Sequence, residues 1–481
     1  MEDFRLIQFG KADAQTEVAE MPTLLKAGYF ERDGLIEKAI NSSVFLFLGY
    51  KGAGKTALSE HMNLISEDSE MFIDQVSLVD FSYKSFPKIV TGDDELEIKT
   101  KVAWKWLLLV RILYSLINDT TAHFDDRQKL EHITQVFVES GIFPVKDLSS
   151  LVTKSSSHKV QATFRNLGYE YNFSKENISV SVSMVIDLVE ELVLSVKESK
   201  QHFIIIDGLD DILTSRNVQY VTIASLINVA RNLNALFKKK HLLFKIMVLC
   251  RTDIFERLPD PNKNKIRTDC SYSFDWYNEG IESQDNCGLV EIANRRTTLT
   301  YPEIQDVFQT FFPATYGGKK VKSVLLDMTR HTPRDFLQLL CSIQSQCGTC
   351  MVTEADIQKG INEYSMQYFL PEIKDEMVGY VPYKLIDPIL TLLSSFHSRE
   401  FSYKQVENEF AKSKVLRQSG ISLLDILTML YECSAIGNTY SYNGGRETRL
   451  TFKYRNRTSS FNSSNNIVLH KGLWKALNVN F

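Results

Sequence analysis

Cysteine is scarce in this 481-residue chain and is spaced wrongly for a metal site. The seven cysteines lie scattered between Cys250 and Cys433, and one CxxC pair, Cys347 and Cys350, stands among them. No second pair or nearby histidine pair completes a tetrahedral set, which excludes a zinc finger or ribbon. An odd number of scattered thiols is the expectation for reduced, mostly buried cysteines. An excess of one charge is lacking too. The formal net charge is −4, so no global basic field advertises nucleic acid, and any basic surface has to be local. No apolar run reaches the roughly 18 residues of a membrane span. The longest candidate, WKWLLLVRILYSLI (104–117), is too short and carries charge. The opening MEDFRLIQFGKADAQTE has no basic segment leading into an apolar one, so no signal peptide is expected. The chain reads as cytoplasmic, without a membrane partner.

What is present is an ordinary globular composition, 44% hydrophobic and 24% charged, in a chain long enough for two to four domains. Residues 43–81 read strand, loop, helix, strand, the last being QVSLVDF (75–81). Residues 84–195 are mostly helical, and the run from Trp104 to Ile117 is apolar all round, which predicts burial. Within that stretch VQATFRNLGYEYN and ISVSVSM alternate at period two and predict an inserted hairpin. HFIIID (202–207) and FKIMVLC (244–250) are continuous apolar runs, as in strands covered on both faces of a parallel sheet, with a helix over about 218–238 between them. SYSFDW (271–276) is a weaker fifth strand. Residues 285–375 read as helical. From 382 three short helices are followed by two alternating strands, GNTYSY and TRLTFKY, around Asn443-Gly444-Gly445, a strong hairpin signal. Three helices and then a hairpin is the order of a winged helix.

The chemistry starts at GYKGAGKTAL (49–58). Gly49-x4-Gly54-Lys55-Thr56 fits the phosphate-loop pattern GxxxxGK[ST] between a strand and a helix. Glycines, among them Gly49, Gly52 and Gly54, let backbone N–H groups turn toward phosphates. Lys55 neutralises the β and γ oxygens, Thr56 offers a hydroxyl to Mg²⁺, and Ala57 continues into the helix. FIIIDGLDDI supplies the acidic strand end, where Asp207 holds Mg²⁺ through its water shell. One of the two following aspartates, Asp210 or Asp211, orients the attacking water, and Asp211 is the choice. Arg251, in CRTD at the end of the next strand, is placed to report the γ-phosphate. Arg334, in TPRD, opens a helix from which an arginine can reach back to the phosphates, and Arg295-Arg296 are candidates to act in trans.

Together GYKGAGKTAL, IIIDGLDD, VLCRTDIFERL and HTPRDFLQL resemble bacterial P-loop ATPases of the STAND/AAA+ kind. FGKADAQTE and FKYRNRT…VLHKGLWKAL are similar to a poorly characterised bacterial subgroup of these ATPases, although no familiar motif covers 121–190. The resemblance implies an α/β P-loop NTPase of the ASCE class with sheet order 5-1-4-3-2, a helical lid and a C-terminal winged helix. The corresponding boundaries are a core at 1–280 with a mostly helical insertion at about 84–195, a lid at 281–380, and a winged helix at 381–481. It also implies ATP and Mg²⁺ as cofactors and ATP-dependent switching or assembly. One departure is Asp211 where glutamate is common, and the shorter side chain implies slow turnover.

Other P-loop classes fit less well. The guanine clamp NKxD is absent, since NKIR lacks the aspartate, and no LSGGQ-like signature loop of an ABC ATPase occurs. Two outputs stay open. One is a nucleotide switch that signals to copies of itself or to a partner effector, with phage defence as its setting. The other is a DNA-acting ATPase of the origin-recognition or transposition-helper type. For the second, residues 441–481 carry Arg446, Arg449, Lys453, Arg455, Arg457, Lys471 and Lys475 against Glu447, a net of +6, with Tyr442, Phe452, Tyr454 and Trp474 interleaved. That is a candidate duplex-contacting face.

Overall fold

A computed structural model describes residues 2–79, 81, 83, 85–90, 94–170, 182–209, 217–277, 287–442 and 447–479. The chain divides into a sheet unit, residues 31–51 and 55–274, and a helical unit, residues 1–30, 52–54 and 275–481.

The sheet unit is built on five parallel strands: β1 (Leu46–Gly49), β2 (Met71–Ser77), β3 (Gln201–Asp207), β4 (Phe244–Arg251) and β5 (Ser271–Ser273). Their spatial order is β2-β3-β4-β1-β5, which read from the β5 edge is 5-1-4-3-2. Every residue of β1 and β4 is buried, because helices cover both faces of the central strands. β2 is the edge strand and only half buried. That explains a difference from the sequence: the strand runs over 71–77 and not 75–81, since MFID on a half-wet edge carries no continuous apolar signal.

Helix α1 (Lys55–Ile65) follows β1 after the loop 50–54, and α2 (Leu96–Ile117) is largely buried from Ala103 to Leu113. Two indoles tie α2 into the core. Trp104 Nε1 donates to the Thr222 carbonyl and Trp106 Nε1 to Ser155 Oγ, each at 2.9 Å. The expected hairpin is corrected here. Its first arm lies in α3 (His158–Glu170), and the end of the second opens α4 (Val182–Leu194); residues 171–181 fall outside the described residues. Val160, Phe164 and Leu167 are buried at helical spacing, and Phe164 meets the Trp106 ring at 4.9 Å. Packing on that indole decides against the local alternation. Helix α5 (Asn217–Lys239) joins β3 to β4.

The helical unit contains α6 (Gly288–Thr300), α7 (Pro333–Gln346) and α8 (Glu354–Glu363), followed by a π-helical turn at Tyr364–Phe369. Then come α9 (Ile386–Ser394), α10 (Tyr403–Lys412) and α11 (Leu423–Glu432). They lead to an antiparallel sheet of β6 (Glu400–Phe401), β7 (Ile436–Tyr442), β8 (Glu447–Thr451) and β9 (Asn466–Leu469), in the order β6-β9-β7-β8. The expected turn residues Asn443, Gly444 and Gly445 lie outside the described residues. β6 and β9 went unread because two- and four-residue strands show no usable period.

Residues 1–30, expected with the core, belong to the helical unit. Phe4 is fully buried against Phe311 and Phe312, and Gln344 Nε2 donates to the carbonyls of Phe4 and Ile7. The same grouping keeps 281–380 and 381–481 in one unit. Among the described residues no helix is long and apolar enough to cross a membrane.

Candidate functional site

Gly49 ends β1 and pairs in register with Arg251 at the end of β4. The loop that follows needs left-handed backbone, with φ of +80° at Gly52 and +99° at Gly54, which a side chain would resist. A Cβ placed on Gly54 would meet no atom within 4 Å, so open space lies against the loop there. Lys55 opens α1, is 4% exposed, and donates Nζ to the carbonyls of Gly49 and Tyr50, each at 3.3 Å. Thr56 and Ala57 follow in the first turn, whose N–H groups have no helical partner and point out of the helix.

Asp207 ends β3, two strands away from β1. Thr56 Oγ1 donates to Asp207 Oδ2 at 2.8 Å, joining residues 151 positions apart, and the other carboxylate oxygen accepts the Gly208 N–H at 2.8 Å. Gly208 is obligatory for a reason the motif alone does not reveal. At φ +80° a Cβ there would stand 3.0 Å from the Leu78 nitrogen. A hydroxyl and a carboxylate side by side are hard oxygen donors, the set that suits Mg²⁺. Asp210 and Asp211 lie outside the described residues.

Arg251 is 5% exposed, and its guanidinium forks onto Asp253 with Nε and Nη2 contacts of 2.9 Å each. Burial pushes the Asp253 carboxyl up, but Arg251, with Arg257 and Lys55 adding to it, holds it below the ordinary range. Lys55 is therefore within electrostatic reach of this pair. Asp253 was missed; its only signal was its place two residues after the arginine.

In the helical unit, which includes the loop tip 52–54, Trp276 Nε1 donates to the Ala53 carbonyl at 2.9 Å and the Arg334 N–H to the Gly52 carbonyl at 3.3 Å. Arg334 sits in the first turn of α7, capped by Thr332, whose Oγ1 accepts from the Asp335 N–H at 3.2 Å. The neighbouring charges of that motif are structural. Arg330, unread in the sequence, is buried with Asp335 at 2.8 Å and also bonds Glu376.

Two expectations are corrected. Arg296 is buried on Glu17 at 2.6 Å and also bonds the Phe9 carbonyl, so it is not available to act in trans. Arg295 donates to the Tyr29 carbonyl at 2.6 Å and lies over the Phe30 ring. The C-terminal +6 segment is not a free cationic face either. Arg455 and Lys471 share Asp327 at 3.1 and 2.5 Å, Lys453 pairs with Glu432 at 3.0 Å, and Arg457 with Asp275 at 3.5 Å. Arg449 and Lys475 lie at the surface, and Arg446 is outside the described residues.

Residues 288–370 are similar to the FunZ-associated C-terminal helical domain. No curated protein matches the chain. Among solved structures, the Aeropyrum pernix ORC1 protein in complex with DNA is 11% identical, with 95% of this chain and 94% of that chain covered, at a TM-score of 0.39. Drosophila ORC bound to DNA is 11% identical, with 98% and 89% covered, at a TM-score of 0.29. Scores this low carry no argument about fold or function.

Proposed function

We propose that the chain is an AAA+-like P-loop ATPase that binds ATP with Mg²⁺ in the Gly49–Thr56 loop, hydrolyses it slowly and uses the nucleotide state as a switch. The observation that carries this is the 2.8 Å contact of Thr56 with Asp207, which joins a phosphate loop to an acidic strand end across 151 residues. Gly52 and Gly54 open the loop, the first-turn N–H groups of α1 face the phosphates, and Lys55 exchanges its two carbonyl partners for phosphate oxygens. Thr56 and Asp207 would hold Mg²⁺. The ion, when bound, neutralises charge on the β and γ oxygens. Asp211 orients water, and its short side chain is the reason for slow turnover. Arg251 reports the γ-phosphate from the sheet by trading its fork on Asp253, and Arg334 reports it from the first turn of α7. The output passes to further copies of the chain or to a partner effector. Nothing in the geometry bears on phage defence, so the reading stops at the switch.

A second reading, a DNA-acting ATPase of the origin-recognition or transposition-helper type, is favoured by the C-terminal order of three helices and an antiparallel sheet, which suits a winged helix. In that reading the duplex meets the exposed Arg449 and Lys475, and Lys453, Arg455, Arg457 and Lys471 stay in the unit's own ion pairs.

Steady-state ATPase assays with Mg²⁺ and with EDTA test the proposal. Turnover should require Mg²⁺ and disappear in Asp207→Ala and Thr56→Ala. Turnover indifferent to both substitutions would overturn it.

A further inference from the structure

A cavity of about 760 Å³ lies in the sheet unit where β3 and β4 begin, beside Phe45 at the start of β1. The strands are parallel and the phosphate loop follows the carboxyl end of β1, so this cavity is at the opposite edge of the sheet. Its lining is cationic. Arg231, Lys238 and Lys239 come from the last turns of α5 and Lys245 from β4, and no aspartate or glutamate lines it. Among the described residues none of the four forms an ion pair; Arg231 bonds the Cys270 thiol, and Lys245 Nζ donates to the Ser42 carbonyl at 2.9 Å.

Lysines at a helix C-terminus favour the helix dipole, which is reason enough for Lys238 and Lys239. It does not account for Arg231, two turns earlier, or for Lys245 on a strand. Lys245 is 7% exposed, and a buried ammonium without a carboxylate is costly unless an anion completes it. Burial first, and then the Lys238 charge, pulls its pKa down to about 8. The rest of the wall is mixed: Asn41, Ser43, Gln201, Asn234 and His241 are polar, while Ile40 and Leu243 form an apolar part and stand 38% and 49% exposed. The volume falls in the range of about 300–1,000 Å³ usual for small-molecule sites.

We infer that this cavity is a second ligand site, separate from the phosphate loop, for a phosphate-bearing small molecule with an apolar part, of nucleotide size. Its phosphates meet Arg231, Lys238, Lys239 and Lys245, and its apolar part lies on Ile40 and Leu243.

The test is calorimetric titration of ADP and, separately, inorganic pyrophosphate into the full chain carrying Lys55→Ala, in EDTA, so that the phosphate loop is silenced. One site per chain is expected, with ADP bound more tightly than pyrophosphate and both weakened by salt. Lys245→Met should weaken binding about ten- to a hundredfold, the usual effect of losing a charge-assisted contact. The exposed pair Lys238→Gln and Lys239→Gln, which leaves the core untouched, should weaken it several-fold. In the chain with Lys55 restored, this pair should leave Mg²⁺-dependent turnover unchanged. No binding of either probe, or binding indifferent to both sets of substitutions, overturns the site. Pyrophosphate bound as tightly as ADP overturns the apolar half, and a DNA duplex bound in preference to both probes overturns the small-molecule class.

Discussion

Thr56 and Asp207 meet because chemistry fixes their types and the sheet fixes their places. The metal site proposed for the loop takes one hydroxyl and one strand-end carboxylate, and the sequence pattern singles out both residue types together with Gly52, Gly54 and Lys55. Residues whose partners are distant were not. Trp276 holds the Ala53 carbonyl, Arg330 reaches Glu376, and Gly208 yields to the Leu78 backbone. None of these follows from local pattern, since each is set by a residue elsewhere in the chain. Two outcomes belong at this scale. Asp211→Asn should keep ATP bound and stop turnover, measured by nucleotide retention and phosphate release; loss of turnover in Asp210→Asn instead would reassign the base. Arg251→Ala should lower kcat more than it raises KM, because the arginine acts once the γ-phosphate is in place. A change in KM alone would make Arg251 a partner of Asp253 and nothing more.

Among elements, the continuous apolar strands β3 and β4 and the apolar Trp104–Ile117 part of α2 were the easiest to read, because each is largely buried. The edge strand β2 and helices α3 and α4 were harder, since wet edges and partly polar helices blur the period. The end of the chain shows an element-level consequence of burial. His331 stacks on Tyr454, and His470 lies between Phe369 and Tyr454. Neither Nε2 has a hydrogen-bond partner among the described residues. Burial, reinforced by Arg455 at both and by Arg330 at His470, pulls each imidazole down to about 3. Both stay neutral when folded and take protons once unfolded. Their contribution is therefore whole above about pH 6.5 and is lost as pH falls toward 3, by about 1.4 kcal/mol per pH unit for each group. Urea unfolding followed from pH 8 to 5 should show this loss, and His470→Phe should flatten it. A slope the same in wild type and His470→Phe would count against a neutral buried His470.

At the scale of the whole molecule, the proposed switch is expected to act on the two units. ATP and ADP should favour different arrangements of them, visible as different small-angle scattering and different protease digestion patterns. Identical profiles with ADP and a non-hydrolysable ATP analogue would leave an ATPase without a switch. Any duplex binding by the single chain should show a shallow salt dependence, a log–log slope of about −2 for two phosphate contacts. A slope near −4 or steeper would return the ion-paired cations of the C-terminal segment to the duplex. The most direct test of the central claim is titration calorimetry of Mg²⁺-ATP into the wild-type chain and into Lys55→Ala. Loss of one charge-assisted phosphate contact costs about 2–4 kcal/mol, so affinity should fall on the order of 30- to 1,000-fold with the unfolding midpoint retained. Equal affinity in the two chains would contradict the assignment of the loop as the nucleotide site.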